Sequence, residues 1–519
     1  MYDILIKNGT VIDGTGNVGR KLDVGVEKDR IVEVAAKIPE AKGRVVIDAK
    51  DKFVTPGFID IQNHSDSYFT LFDQPQQSSL LAQGITSIVV GNCGSSLAPL
   101  ASLESIKTIQ KWHDLAGVNI NWVTFGEFVQ SLSQKNLGVN VLSLVGHATV
   151  RRGLLKDSVR PAQMEEMRVM KKLVDKSLDE GAVGLSMGLI YAHEVNSSEE
   201  ELKLLVSSLK PRRKFLSIHL RSEASHILEA VDEAIDLATA SDVALKISHL
   251  KVRGQKNWHL FDHVLNKLEI AYHQGLKISF DVYPYDSSWS VLYTYLPKWA
   301  YEAGRAEILR HSSAAADRRK ILDYLKSSGQ NYGQIVIATA ENNPGFVGKT
   351  LAQIASNQGV SVEEAMLNTI TACRAQVVVF DHNLSHEQVE LLVFSPLSII
   401  ASDGAGYEKE SQNLVHPRCF GAMPKFLRMV REKKTVSWEM AIKKLTMEPA
   451  GLLNLKDRGK IAKNTMADIV VFDPVTVTDL VDYEHPYKFP LGIETVLING
   501  KIAFADNKPA GLFGKMIGI

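Results

Sequence analysis

Through the middle of the chain, short runs of apolar residues alternate with longer stretches in which apolar positions recur every three or four residues. The short runs fall at 58–62, 87–91, 139–146, 182–186, 215–219, 244–249, 277–283 and 397–402. Near-continuous apolar character is what a strand of a parallel sheet shows when both of its faces are covered. The longer stretches, such as 164–180, 199–209 and 226–240, have the period of helices with one buried stripe. Eight such strands interleaved with helices predict an α/β fold, a (β/α)₈ TIM barrel.

Both chain ends have a different texture. The first fifty residues hold short β-rich runs broken by turn signals, such as Thr10-Val11-Ile12 before Asp13-Gly14, and predict a small antiparallel sheet of hairpins. The runs Ile469-Val470-Val471-Phe472 and Thr495-Val496-Leu497-Ile498 near the other end match them. Neither set has enough strands to bury a face alone, so both are expected in one small composite β-sandwich domain. The boundaries expected are 1–56 for its N-terminal part, 57–440 for the barrel and 441–519 for its C-terminal part. The gap before the last barrel strand is the longest and holds helical pattern over 299–328 and an apolar run at 335–338, which predicts an insertion at about 287–346 over the barrel mouth.

Composition narrows the chemistry. Lys plus Arg and Asp plus Glu number 59 each, so the net charge is zero and nucleic acid is a poor candidate for the main ligand. Three cysteines in 519 residues cannot form a disulfide framework. No apolar run is long enough for a membrane span and the first residues read as a strand, so no membrane partner and a cytoplasmic location are expected.

In a (β/α)₈ barrel, chemistry gathers at the C-terminal ends of the strands. There this chain places Gln62-Asn63-His64, Asn92-Cys93-Gly94, His219, His249 and Ser402-Asp403-Gly404. Any one of these has a plain structural explanation: a lone buried histidine usually bonds to backbone, and a lone cysteine usually fills core. With fifteen histidines in the chain some will fall at strand ends by chance. Convergence from five strands favours a metal site instead. One thiolate with two imidazoles suits Zn²⁺ and leaves the open position that catalysis needs. Cys373 and Cys419 lie outside this ring and are read as structural.

These residues sit in longer motifs: Pro56-Gly57-Phe58-Ile59-Asp60; Gly91-Asn92-Cys93-Gly94-Ser95-Ser96-Leu97-Ala98-Pro99; Glu180-Gly181-Ala182-Val183-Gly184-Leu185-Ser186-Met187-Gly188; His219-Leu220-Arg221-Ser222-Glu223; Ile247-Ser248-His249-Leu250-Lys251; Asp281-Val282-Tyr283-Pro284-Tyr285; and His416-Pro417-Arg418. Taken in order, they resemble the amidohydrolase superfamily and, within it, the D-aminoacylase (N-acyl-D-amino-acid deacylase) family. The resemblance runs from the first strand to the end of the chain.

The resemblance implies zinc-dependent hydrolysis of N-acyl-D-amino acids, small molecules whose amide bond would be cut to a carboxylate and a free D-amino acid. It implies one tight Zn²⁺ on Cys93, His219 and His249, and Asp403 as the catalytic group that takes a proton from water and returns it to the leaving nitrogen. It implies Arg418, with Lys251, Tyr283 and Ser290, at the substrate's carboxylate, and Tyr191 near its carbonyl. A weaker second site in this family uses a His-x-His pair with the cysteine. Here the pair is Gln62-Asn63-His64, so His64 has lost its companion. The departure bears on the second metal rather than the first, and histidine at position 62 is expected to bring back a second, weak site. Two alternatives remain: a cyclic-amide hydrolase of the hydantoinase or dihydropyrimidinase type, and a non-catalytic relative that has begun to lose metal ligands. The first calls for a carboxylated lysine on the fourth strand, where this chain has Gly184-Leu185-Ser186. The second must explain why Cys93, His219, His249 and Asp403 are all present. The side chain preferred and the oligomeric state are not legible in the sequence.

Overall fold

A computed structural model of the chain describes residues 1–109, 120–156, 158, 160–302, 304–340, 343–408 and 410–518. Its centre is a barrel of eight parallel strands: Phe58–Asp60, Ile85–Val90, Asn140–Ser143 continued by Val145–Gly146, Gly184–Gly188, Phe215–His219, Ala244–Ile247, Ile278–Val282 and Ser398–Ile400. The third strand divides at Leu144, its first piece pairing with the second strand and its second piece with the fourth. The ring closes beyond the strands proper, where the Asp403 N–H donates to Gln62 O at 2.9 Å and the His64 N–H to Gly404 O at 2.7 Å. Closure thus brings the ends of the first and eighth strands side by side, with Asp403 next to Gln62 and His64.

Two sheets flank the barrel. One has four strands in the order Arg30–Ala35, Asp23–Glu27, Tyr2–Lys7, Gly43–Asp48. The other mixes both chain ends, since Ile469–Phe472 pairs antiparallel with Phe53–Pro56. Ile4, Val24, Val26, Val471 and Leu497 fill the space between them, so neither terminus has a core without the other. The expectation of purely antiparallel hairpins is corrected here: Tyr2–Lys7 runs parallel to Gly43–Asp48, and Thr10–Val11 parallel to Phe53–Pro56. Hairpin signals report only on strands adjacent in sequence, and these pairs are not adjacent.

Two further boundaries differ from expectation. The barrel does not stop at 440, because the helices Trp438–Leu445 and Met447–Leu452 still pack beneath it, burying Ile442, Leu445 and Ala450 against barrel residues. The insertion extends past 346 to Asp381. It is an antiparallel sheet of Ser288–Val291, Val377–Asp381 and Val336–Ala340 covered by helices, with its own core of Leu292, Ile321, Ile337, Ile354 and Ile370. Val377–Asp381 is the central strand, so the sheet is incomplete without it. Ala303, within the helical pattern expected over 299–328, lies outside the described residues. Among the described residues no helix is long and apolar enough to cross a membrane.

Candidate metal centre and active-site cleft

Three of the candidate side chains leave their strands through the same backbone device. Cys93, His249 and Asp403 have φ of 52°, 36° and 48°, the left-handed region that costs a non-glycine residue about 1–2 kcal/mol. Such strain persists only where surrounding contacts hold it. Each of these turns ends a strand and swings the side chain over the barrel mouth.

There the Cys93 Sγ and the ring nitrogens of His219 and His249 all lie within 4.8 Å of one another, with all three residues buried. Neither ring nitrogen of His219 makes a hydrogen bond with a described residue. The two imidazoles meet edge to face, their centroids 4.3 Å apart. Burial would raise the Cys93 pKa, but the His219 and His249 imidazoles outweigh it and hold the thiol well below its usual range. A thiolate with two buried imidazoles, one of them with no hydrogen bond to a described residue and Glu223 Oε1 at 3.6 Å from its Nε2, fits a divalent metal.

The supporting contacts orient these groups. His249 Nδ1 is 3.2 Å from Glu223 Oε1, which fixes the ring with Nε2 facing Cys93 Sγ at 3.5 Å. Glu223 also pairs with Lys251, whose Nζ is 2.5 Å from the same oxygen and 2.8 Å from His249 Nδ1. Lys251 is therefore engaged beside a candidate metal ligand as well as lining the cleft.

His64 Nε2 is 3.1 Å from Asp403 Oδ1, and Arg418 NH2 is 2.7 Å from Asp403 Oδ2. Burial works to raise the Asp403 pKa, but the Arg418 guanidinium and the imidazoles of His249 and His64 hold it well below the usual carboxylate range. Arg418 opens the helix Arg418–Lys433, an end where a cation opposes the helix dipole, and Asp403 offsets that. The guanidinium lies 4.4 Å from the Tyr283 ring centroid and 5.5 Å from that of Trp289, and its Nε has no described hydrogen-bond partner. His416 braces the turn by donating from Nε2 to Ser287 O and accepting the Arg418 N–H at Nδ1.

One cleft is lined by His64, Cys93, Tyr191, His219, His249, Lys251, Tyr283, Ser290, Asp403 and Arg418, which includes every site residue singled out in the sequence. Tyr191 faces His219 with ring centroids 5.1 Å apart. The Tyr283 hydroxyl is buried without a described hydrogen-bond partner. Trp289, Ser290 and Thr294 come from the insertion, which therefore forms one wall of the cleft. Cys419 stays out of it, behind Gly404, with its thiol pushed up to about 12 by burial, and Cys373 lies in the insertion's core.

Sequence reasoning passed over several supporting residues. Glu223 stands one helical turn's spacing after His219, and Asp281 on the seventh strand accepts the His249 N–H at 2.8 Å. Lys246 was legible as a charge in the middle of an apolar strand.

His147 directly follows the third strand. Its Nδ1 is 2.9 Å from Glu194 Oε1 and its Nε2 2.7 Å from Glu201 Oε1, with no side-chain exposure in the group. Glu194 accepts the Gly188 N–H and packs against Gly94, where an added Cβ would fall 2.2 Å from its carboxylate, so this group braces the Cys93 turn. Burial lowers the His147 pKa, but the two carboxylates outweigh it and raise it to about 9. Because the folded pKa exceeds the unfolded value of about 6.5, this contribution to stability is complete below about pH 6.5 and is lost as pH rises through 9. Urea midpoints at pH 7 and pH 9.5 are expected to fall further for the wild type than for His147→Gln; equal falls would remove His147 as the cause.

The amidohydrolase family model matches residues 45–250 and 295–504. An N-acyl-D-aspartate deacylase of Alcaligenes xylosoxydans xylosoxydans is 30 % identical over 96 % of this chain and 91 % of its own length. The crystal structure of an N-acyl-D-glutamate deacylase from Bordetella bronchiseptica, complexed with zinc and a phosphonate mimic of the tetrahedral intermediate, superposes with a TM-score of 0.85 at 27 % identity, covering 100 % of both chains. A solved D-aminoacylase, whose binuclear metal centre is described by one-metal activation and second-metal attenuation, gives a TM-score of 0.85 at 28 % identity, again covering 100 % of both.

Proposed function

The chain belongs to the amidohydrolase family, in its D-aminoacylase branch, and we propose from this that it is a metal-dependent enzyme hydrolysing the amide bond of N-acyl-D-amino acids, with zinc as the metal. The observation that carries the reading is the buried Cys93, His219 and His249 cluster in one cleft with Asp403 and Arg418. Cys93, His219 and His249 would hold the metal, which when bound supplies a Lewis acid that acidifies water and polarises the acyl carbonyl.

The chain's own groups carry the remaining steps. Asp403 takes the proton from the attacking water and hands it to the amide nitrogen as the C–N bond breaks. Arg418 binds the substrate's α-carboxylate through its Nε edge while its NH2 holds Asp403, which ties carboxylate recognition to the position of the base. Tyr283 and Ser290 offer hydroxyls to the same carboxylate, and Lys251 adds positive charge from the other side of the cleft. Tyr191 stands beside His219, near the scissile carbonyl. A carboxylate fixed by Arg418 and a carbonyl fixed over the ligand cluster leave two substituents at the α-carbon, and the cleft walls accept them in one order. That is the physical basis for selecting one enantiomer.

The cyclic-amide reading loses ground on the fourth strand, Gly184–Gly188, which holds no lysine and whose Ser186 hydroxyl donates to Gly91 O and accepts from the Gly94 N–H. The non-catalytic reading must account for a buried polar cluster that a structural barrel has no reason to keep.

A panel of N-acetyl-D- and N-acetyl-L-amino acids, assayed for free amine with zinc-loaded protein, is the test. Amine is expected from D-substrates, at rates at least about 100-fold above their L-counterparts, the roughly 3 kcal/mol that one misplaced ionic contact costs. Equal rates for both series, or none for either, would overturn the reading.

A further inference from the structure

Lys246 sits in the sixth barrel strand with its side chain inside the barrel and no exposure. Its Nζ is 2.6 Å from Asp281 Oδ2 on the seventh strand and 2.6 Å from Gln62 Oε1 beyond the first. Asp281 is fixed in turn, because its Oδ1 accepts the His249 N–H at 2.8 Å. An ammonium group can only donate, so it captures the oxygen of the Gln62 amide and decides which way that amide faces. The Gln62 Nε2 therefore points into the site, 3.2 Å from Cys93 Sγ and 3.5 Å from both His64 Nε2 and Asp403 Oδ1.

This orientation alters the meaning of Gln62. The sequence shows only that His64 has lost its companion; in the structure the one atom of Gln62 that could bind a metal, its amide oxygen, is turned away toward Lys246. A cation placed between Cys93, His64 and position 62 would meet two N–H hydrogens with no lone pair to offer, and an ammonium behind them. Buried charge is kept only where it is paired and hydrogen-bonded, and Lys246 has both of its closest oxygens on the two neighbours that position the site.

We propose that Gln62, Lys246 and Asp281 form a hydrogen-bonded strut that stands in place of a second metal, so that this active site is built for one metal only. The strut rests on the one-metal reading given above. It supplies from the protein what a second cation would supply, a positive edge toward the Cys93 thiolate and Asp403, and it links that edge to the backbone of the ligand His249. It also changes the expectation for position 62. Histidine there would face the Lys246 ammonium, so Gln62→His alone does not bring back a second site; Lys246 must go as well.

The test is zinc content after equilibrium dialysis against rising free zinc, read by elemental mass spectrometry on full-length protein, with circular dichroism confirming the fold. Wild type and Gln62→His are expected to saturate at about one zinc per chain, and Gln62→His/Lys246→Met at about two. The same double variant with Asp281→Asn, which leaves no unpaired buried carboxylate, is expected to match it and serves if the first fails to fold. A second equivalent in wild type or in Gln62→His would overturn the strut, as would a folded double or triple variant that stays at one; the first two arms decide even if neither combined variant folds. No zinc in wild type would instead overturn the metal-enzyme reading beneath it, and the strut with it.

Discussion

Asp403→Asn is expected to lower kcat by about 10²- to 10⁴-fold, the range typical for removing a general acid–base group, while the zinc content stays that of wild type. The two oxygens of Asp403 have different neighbours, His64 Nε2 at 3.1 Å on one and Arg418 NH2 at 2.7 Å on the other. Asparagine keeps the shape and one accepting oxygen, so the backbone at φ 48° and one of the two contacts survive. It cannot take a proton from water or return one to nitrogen. The ligand atoms proposed for the metal belong to Cys93, His219 and His249, so metal is expected to remain. A rival account makes Asp403 only the counter-ion that steers Arg418 to the substrate carboxylate, in which case KM rises and kcat stays. Steady-state kinetics on the preferred D-substrate, with zinc content and melting temperature on the same samples, separate the two. A kcat within tenfold of wild type would assign proton transfer to another group.

Elements that repeat a local pattern were legible in the sequence, and elements that depend on pairing across the fold were not. All eight barrel strands could be placed because a strand covered on both faces must be apolar along its length, whatever its neighbours. The observed strands are shorter at their C-terminal ends than the apolar runs suggest: Ala244–Ile247 stops before His249, and Ser398–Ile400 before Asp403. The reason is the left-handed turn at each functional residue, which composition does not report. The insertion was underestimated because Val377–Asp381 joins it only by pairing with strands at 288 and 336. In the site, residue types that bind metal stood out one by one, since Cys, His and Asp are conspicuous at strand ends. Partners that act on each other were hidden: Arg418 on Asp403, Lys251 on Glu223, and Lys246 on Gln62 lie 15, 28 and 184 positions apart, with only the fold to join them. Gln62 shows the consequence. Its sequence identity showed only that a histidine was missing beside His64, whereas its orientation, set by a lysine on the sixth strand, makes it a donor.

Cys93→Ala is expected to release zinc and to abolish turnover at ordinary zinc concentrations. Removing a partner that merely orients a ligand costs about 10- to 100-fold in metal affinity, so removing the sulfur itself exceeds about 100-fold. The thiolate is the only anionic member of the cluster; without it, two imidazoles stand beside the Lys251 ammonium, 2.8 Å from His249 Nδ1. The nearest amide, that of Gln62, cannot take its place, because it turns hydrogens toward the vacated position. Cys419→Ala and Cys373→Ala provide the contrast. Both thiols are buried, one behind Gly404 and the other in the core of the insertion, so each variant is expected to lose stability on the scale of a small cavity and to keep its metal. Zinc content and kcat for the three variants, measured after the same dialysis, therefore separate a ligand from a packing residue. If Cys93→Ala retains zinc as wild type does, the metal is held elsewhere, and both the turn at Cys93 and the strut behind Gln62 need another explanation. If it loses zinc while high added zinc restores turnover, the two histidines form a residual site and the thiolate's part is affinity. Sustained loss of turnover at saturating zinc would give the sulfur a part in setting the metal's reactivity as well.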